Sequence, residues 1–194
     1  MLILPRADEL VRIMSFDPGT ETLGMAISDV NLSTRVSTIV HAETFKASKY
    51  VANHDSYLLT QEMHGDRQAR LQSHSNNVFR HLQGWRPHLV ISESPFMGMR
   101  AQAFEALVEC VGMLRWTVQH YDPTLYFDVI SPMSAKKAVG ASGRGMDKHD
   151  VKRRLLEMCK EGQLAYVGYP PLDTLDEHSI DAIAVGRALA VSLM

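Results

Sequence analysis

Apolar residues in this chain fall into short runs and periodic stripes, and these divide it into elements. VRIMSFD (11–17) is an apolar run of strand length that closes on a Pro-Gly turn. LGMAISD (23–29) follows closely enough to pair with it as a hairpin, and STIVHAETF (37–45) supplies a third strand. Residues 46–65 are polar and His-rich with no clear period, which predicts a loop insertion. From Asp66 to about Gln83, the spacing of Leu71, Val78, Phe79 and Leu82 suits an amphipathic helix. HLVISES (88–94) is a fourth strand after Pro87. Phe104, Leu107, Val108, Val111, Leu114 and Val118 recur at three and four and predict a long helix over about Ala101 to His120. LYFDVIS (125–131) is a fifth strand, and Ser131-Pro132 reads as a capped helix start. A glycine-rich loop (140–146) leads to a helix from Asp147 to about Glu161, and a last helix runs from about Thr174 to Leu189. The first ten residues form a short lead-in.

Three strands followed by alternating helices and strands define a mixed α/β protein. The order suits a five-stranded mixed sheet, its first three strands antiparallel and its later ones parallel, flanked by helices. The 194 residues, 45% of them apolar, fit one domain spanning 1–194. No apolar run is long enough to span a bilayer, so no membrane partner is expected. The start, MLILPRADEL, turns polar after four residues and lacks a small-residue cleavage site, so no leader is expected. Cys110 and Cys159 have no metal-ligand spacing and read as buried thiols of a reducing compartment. The expected location is the cytoplasm, nucleoid-associated in a cell, or the host cytoplasm for a viral chain.

Charge changes the picture through its distribution. The net charge of −2 does not mark a nucleic-acid binder. Yet Lys136, Lys137, Arg144, Lys148, Lys152, Arg153 and Arg154 face only Asp147 and Asp150 within one stretch, a local excess of five positive charges. A solvated helix face is the simpler account of such a cluster taken alone.

Acidic residues stand where strands end. Asp17 closes the first strand, fixed by the sheet yet open at its edge, a good position for a metal ligand. Gly19 permits a tight turn and Gly24 lets the second strand pass close to a ligand or helix. An ordinary Asp-Pro-Gly turn has the same sequence. Glu93 follows an apolar run, where an unpaired charge is costly. His178 and Asp181 are three apart and share a helix face. The helix dipole alone would also favour acids at that helix start. As a set, these four offer an oxygen-rich site suited to Mg²⁺ or Mn²⁺.

The motifs together resemble those of the RuvC-type Holliday-junction resolvases of the RNase H-like superfamily. RIMSFDPGTETLGMAISD (12–29) resembles their first strand pair, with Asp17 at the first catalytic carboxylate, and VISESPFMG (90–98) their second motif, with Glu93. ISPMSAKKAVGASGRGMDKHDVKRRL (130–155) resembles their basic motif, where Lys137 and Lys148 match two lysines that act on the DNA backbone and near the scissile phosphate. DEHSIDAIAVGRAL (176–189) resembles the final motif, with His178 and Asp181 as ligands three apart. Phe96 matches an aromatic residue that unstacks junction bases, and core packing is an equal account of it. The four motifs occur in family order over most of 12–189. The lead-in, the 46–65 connection and Pro95 depart from the bacterial pattern.

The resemblance implies a homodimer that nicks four-way junctions, and other branched DNA, in recombination, repair or replication. Phe104, Leu107, Val111 and Leu114 become candidates for the dimer interface. Asp17, Glu93, His178 and Asp181 would hold two Mg²⁺ ions about 3.5–4 Å apart, with Mn²⁺ able to substitute, giving 5′-phosphate ends. Lys148 would offset charge at the scissile phosphate, and Lys136, Lys137, Arg144, Lys152 and Arg153 would bind flanking phosphates. Two alternatives stand beside this reading. Asp-x-Gly turns also occur in sugar-kinase and actin-like ATPases, but those need two such domains and a longer chain. A non-catalytic DNA-binding or assembly module would keep the fold and lose an acid.

Overall fold

A hairpin with a tight turn sets the frame: β1 (Leu10–Asp17) runs into β2 (Thr22–Asn31), antiparallel, with Asp17 opposite Gly24. A Cβ on Gly19 would lie 2.3 Å from the Thr22 carbonyl oxygen, so the turn needs glycine there. The computed structural model describes residues 10–97, 100–143 and 148–194, apart from the Lys148 side chain. Residues 1–9 of the expected lead-in, Arg144 and the Asp147 cap lie outside the described residues, and Leu10 is already strand.

β3 (Val36–Lys46) continues the antiparallel meander. β4 (Leu89–Glu93) joins β1 in parallel, and β5 (Tyr126–Ile130) joins β4 in parallel. The expected five-stranded sheet is corrected to six, ordered β5-β4-β1-β2-β3-β6. The added β6 (Leu164–Tyr166) pairs in parallel with the start of β3. Three residues are too few to show a period, and long-range pairing alone makes them a strand.

The loop expected over 46–65 is also corrected. It folds as α1 (Ala47–Val51) and α2 (Asp55–His64), which lead into α3 (Asp66–Trp85). Only Tyr57 of α2 is buried, against Val51 and Ala69 in a satellite cluster. A helix held by one aromatic anchor carries no apolar stripe, and packing on α3 stabilises it instead. The remaining helices are α4 (Ala101–Tyr121), α5 (Pro132–Ala138), α6 (Lys148–Lys160) and α7 (Glu177–Leu193). A 3₁₀ turn at Leu172–Thr174 precedes α7, so the last helix begins three residues later than expected. No helix among the described residues is long and apolar enough to cross a membrane.

The sheet alternates its side chains between two cores. Ile13, Ala26, Ala42 and Ile91 pack with Ile180, Ile183 and Val185 of α7 on one face. Met14, Phe16, Met25, Ile27 and Phe45 pack with Val78 and Leu82 of α3 and Leu114 and Val118 of α4 on the other. Burying each large aliphatic side chain contributes about 1.5–3 kcal/mol. Leu114 is fully buried and Val111 nearly so, which corrects their assignment to a dimer interface: both are interior residues of the monomer. Phe104 and Leu107 are half-buried, and Val108 and Trp116 are the exposed large apolar residues of α4.

α7 lies unusually close to the hairpin. A Cβ on Gly24 would stand 2.1 Å from the His178 carbonyl oxygen, and one on Gly186 would stand 2.6 Å from Ser15 Oγ. Ser15 donates to the Ala182 carbonyl at 2.7 Å, tying strand to helix inside the core. This approach fixes the first turn of α7 over the ends of β1 and β4.

Candidate active site

Asp17 and Glu93 sit at the ends of adjacent parallel strands. Asp17 is one residue past the α3-side Phe16, and Glu93 is two past the α7-side Ile91, so strand alternation turns both carboxylates toward α7. α7 is capped by Asp176, whose side chain accepts from the Ser179 amide at 3.0 Å and from the Thr44 hydroxyl at 2.6 Å. That cap orients the first turn and presents Asp181. Asp17, Glu93 and Asp181 then line one small cavity of about 110 Å³ with Pro132, Ala135, Lys136 and Ala184.

The three acids share an electrostatic environment. Burial, followed by the fields of Asp17 and Asp181, raises Glu93 to about 7, with Lys136 opposing the rise. Burial and the charges of Asp17 and Glu177 raise Asp181 to about 6, opposed by Lys136 and His178. Gathered carboxylates that resist joint ionisation, with oxygen donors and one nearby ammonium, fit a hard divalent cation. Their oxygens do not all come within 4.8 Å of one another among the described residues, so a shared ion would need the side chains to draw closer.

His178, expected as a ligand with the three acids, lies against Asp17 rather than among the residues lining the cavity. Its Nδ1 meets Asp17 Oδ2 at 2.7 Å and its Nε2 meets Thr22 Oγ1 at 2.9 Å. The hydrogen bond to Asp17 is the main cause of its raised pKa. The close packing of the His178 backbone on Gly24 puts the ring over the β1–β2 turn, where it braces Asp17. Thr22 is a site residue that the sequence pattern does not reveal, since a threonine five residues from an acid carries no signal of its own.

The basic stretch divides into separate roles. Lys136 reaches the acid cavity, whereas Lys137 lines a different depression with Asp128, Ser131 and Ser134. Lys152 donates to the Leu175 carbonyl at 2.8 Å, which anchors the chain ahead of α7. Arg153 is exposed and pairs with Asp150 and with Glu157, the latter at 3.8 Å. Arg154 pairs with Glu157 at 2.6 Å. The expected roles of Arg144 and of the Lys148 side chain lie outside the described residues. Phe96 is 66% exposed beyond β4, which removes core packing as its explanation.

A six-stranded mixed sheet with a meander of three strands, two parallel strands beside it and a carboxylate cleft where β1 and β4 meet α7 defines an RNase H-like fold. Within that class the fold is that of the RuvC-type resolvases. Thermus thermophilus RuvC in complex with Holliday junction substrate is 18% identical and matches 92% of each chain at a TM-score of 0.65. The yeast mitochondrial Holliday junction resolvase Ydc2 is 9% identical, covering 95% of this chain and 80% of its own at 0.66. The fowlpox virus resolvase with substrate Holliday junction DNA is 15% identical, covering 95% and 99% at 0.53. No protein-family profile and no curated protein sequence matches the chain.

Proposed function

We propose that this protein is a metal-dependent, structure-selective endodeoxyribonuclease that nicks four-way DNA junctions and related branched DNA, leaving 5′-phosphate ends. The convergence of Asp17, Glu93 and Asp181 in one cleft, on a fold shared with junction resolvases, carries the reading. Asp17, Glu93 and Asp181 would hold Mg²⁺, with Mn²⁺ able to substitute. Bound there, the metal supplies an activated water and charge stabilisation for the departing 3′ oxygen. His178 keeps Asp17 oriented through Nδ1, a positioning role, and joins the ligand set if its ring turns from Thr22.

The surrounding residues take up the DNA. Lys136 stands next to the acids and offsets negative charge brought by a phosphate. Lys137, Arg144, Lys148 and Arg153 contact backbone phosphates, which give position and salt sensitivity rather than sequence reading. Lys152 joins them only by releasing Leu175. Phe96, exposed beside the acid-bearing strand, inserts against junction bases. A homodimer would place two such clefts on one junction, with Phe104 and Leu107 at its interface.

The test is a nuclease assay on matched four-way, forked, flapped and linear duplex DNA, with Mg²⁺ and with EDTA. Metal-dependent nicking that favours the four-way junction is expected. Asp17→Asn should bind the junction without cutting it. Junction binding with no nicking under any divalent metal would replace the nuclease reading by a non-catalytic DNA-binding module.

A further inference from the structure

We infer that a second metal site, for one Zn²⁺, lies on the opposite face of the sheet from the acid cleft, built by His41, Glu43 and His81. Among the described residues these three form the group of His, Cys and acidic side chains whose ligand atoms all lie within 4.8 Å of one another. His41 Nε2 stands 2.6 Å from Glu43 Oε1, and His81 Nε2 stands 3.4 Å from the same oxygen. Around a tetrahedral zinc ion, ligand atoms sit about 3.3 Å apart. The His81 distance already matches, and the His41 hydrogen bond needs to open by less than about 1 Å.

The backbone is arranged to produce this grouping. The β2–β3 register shifts between Ile27 and Ser28, which pair with His41 and Ile39, so Val40 is an extra, bulged residue. Ile39 and Ala42, an odd number apart, therefore both face the α7 core. The bulge reverses the alternation, and His41, Glu43 and the core residue Phe45 point to the α3 side, where His81 comes down from the helix. An unbulged strand would put His41 on the face of Ile39, away from His81.

Aromatic neighbours fix the rings. The two imidazoles lie 6.1 Å apart and within 20° of parallel. Trp85 is 5.4 Å from His41, and Phe45 is 5.2 Å from His81. The side chains are 25%, 33% and 27% exposed, so an ion has a path in and a fourth position for water. Two imidazoles and one carboxylate select a borderline transition metal over the Mg²⁺ expected of an all-oxygen cleft. The ion would tie β3 to α3.

The test uses Asp17→Asn as parent, so that it does not depend on cleavage, and the effect of replacing His81 or Glu43 separates this site from any zinc held by the remaining acids of the cleft, whatever the fate of the nuclease reading. Calorimetric titration with Zn²⁺ should show one equivalent bound with a micromolar or tighter dissociation constant. His81→Gln and Glu43→Gln, each made in that parent, should weaken binding at least about tenfold. Co²⁺ in place of Zn²⁺ should quench Trp85 fluorescence and give visible absorption, both lost in His81→Gln. At a hundredfold excess over its dissociation constant, Zn²⁺ should raise the parent's Tm by about 5 °C. Circular dichroism in EDTA reports whether each variant is folded, and Glu43→Gln serves as the deciding variant should His81→Gln unfold. A parent that takes up no zinc at micromolar concentration overturns the proposal, as does a folded variant that binds as tightly as the parent.

Discussion

Glu93 occupies a position where stability and the proposed function oppose each other. Burial together with the charges of Asp17 and Asp181 holds it near 7, so at pH 8 its ionised form is disfavoured by the surrounding protein. Glu93→Gln removes that repulsion and keeps the shape. Without divalent metal at pH 8, thermal melting should show the variant's Tm raised by a few degrees. Junction cleavage should fall more than about a hundredfold. His74 gives the opposite pH behaviour. It is fully buried, its Nε2 meets the Thr20 carbonyl at 3.2 Å, and burial lowers its pKa from 6.5 to about 4. Between those values the unfolded chain binds a proton that the folded chain does not, so stability increases with pH across that window. The contribution is complete above 6.5 and is lost as pH falls toward 4, a swing of roughly 3 kcal/mol. His74→Gln keeps a donor for Thr20. Denaturant titrations at pH 4.5 and 7 should show a smaller loss of stability on acidification than in the parent, and an identical loss would remove His74 as its cause.

The element scale shows how α7 is held. Gly24 has no room for a side chain, because a Cβ there would collide with the His178 backbone at 2.1 Å. Gly24→Ala must push the first turn of α7 away from β2, which should cost about 1–3 kcal/mol in urea unfolding. It should also lower cleavage at unchanged junction affinity, since Asp181 follows directly on the displaced turn. Unaltered cleavage would show that the cleft tolerates this movement. The sequence exposed this relation in part: Gly24 reads as a point of close approach, and the partner proves to be a helix. Strands β1 to β5 and helices α3, α4 and α7 were legible because each presents a stripe or run matching its period. β6, α1 and α2 were not, since β6 is defined by pairing with β3 and α2 by Tyr57 alone. Asp17, Glu93 and Asp181 were legible because strand ends and helix spacing limit where a carboxylate can point. The turn of His178 toward Asp17 and Thr22 depends on backbone packing that no local pattern encodes. The Val40 bulge likewise leaves no mark in an alternating sequence, yet it decides which face His41 and Glu43 occupy.

At the scale of the whole molecule, the proposed function asks a chain with net charge −2 to bind a polyanion through local arrangement rather than bulk attraction. The adjacent lysines of α5 separate the two contributions to that task. Lys136 turns into the acid cleft and opposes the raised pKa values of both Glu93 and Asp181, while Lys137 lines the neighbouring depression. A lysine that only neutralises a phosphate adds about one to the slope of log affinity against log salt, whatever the DNA sequence. Lys137→Ala should therefore weaken junction binding evenly across sequences and reduce that slope by about 1. Its cleavage rate at saturating protein should stay near the parent's. Lys136→Ala should do the reverse. Loss of the ammonium lets the Glu93 and Asp181 pKa values rise further, so protons compete more strongly with metal and the rate at saturating DNA falls most below pH 7. Fluorescence anisotropy across a salt series, made in Ca²⁺ to hold off cleavage, and single-turnover rates across pH in Mg²⁺ measure the two effects separately. If both variants lose binding alone, Lys136 is one more phosphate contact and the acids of the cleft are balanced by DNA and metal without it.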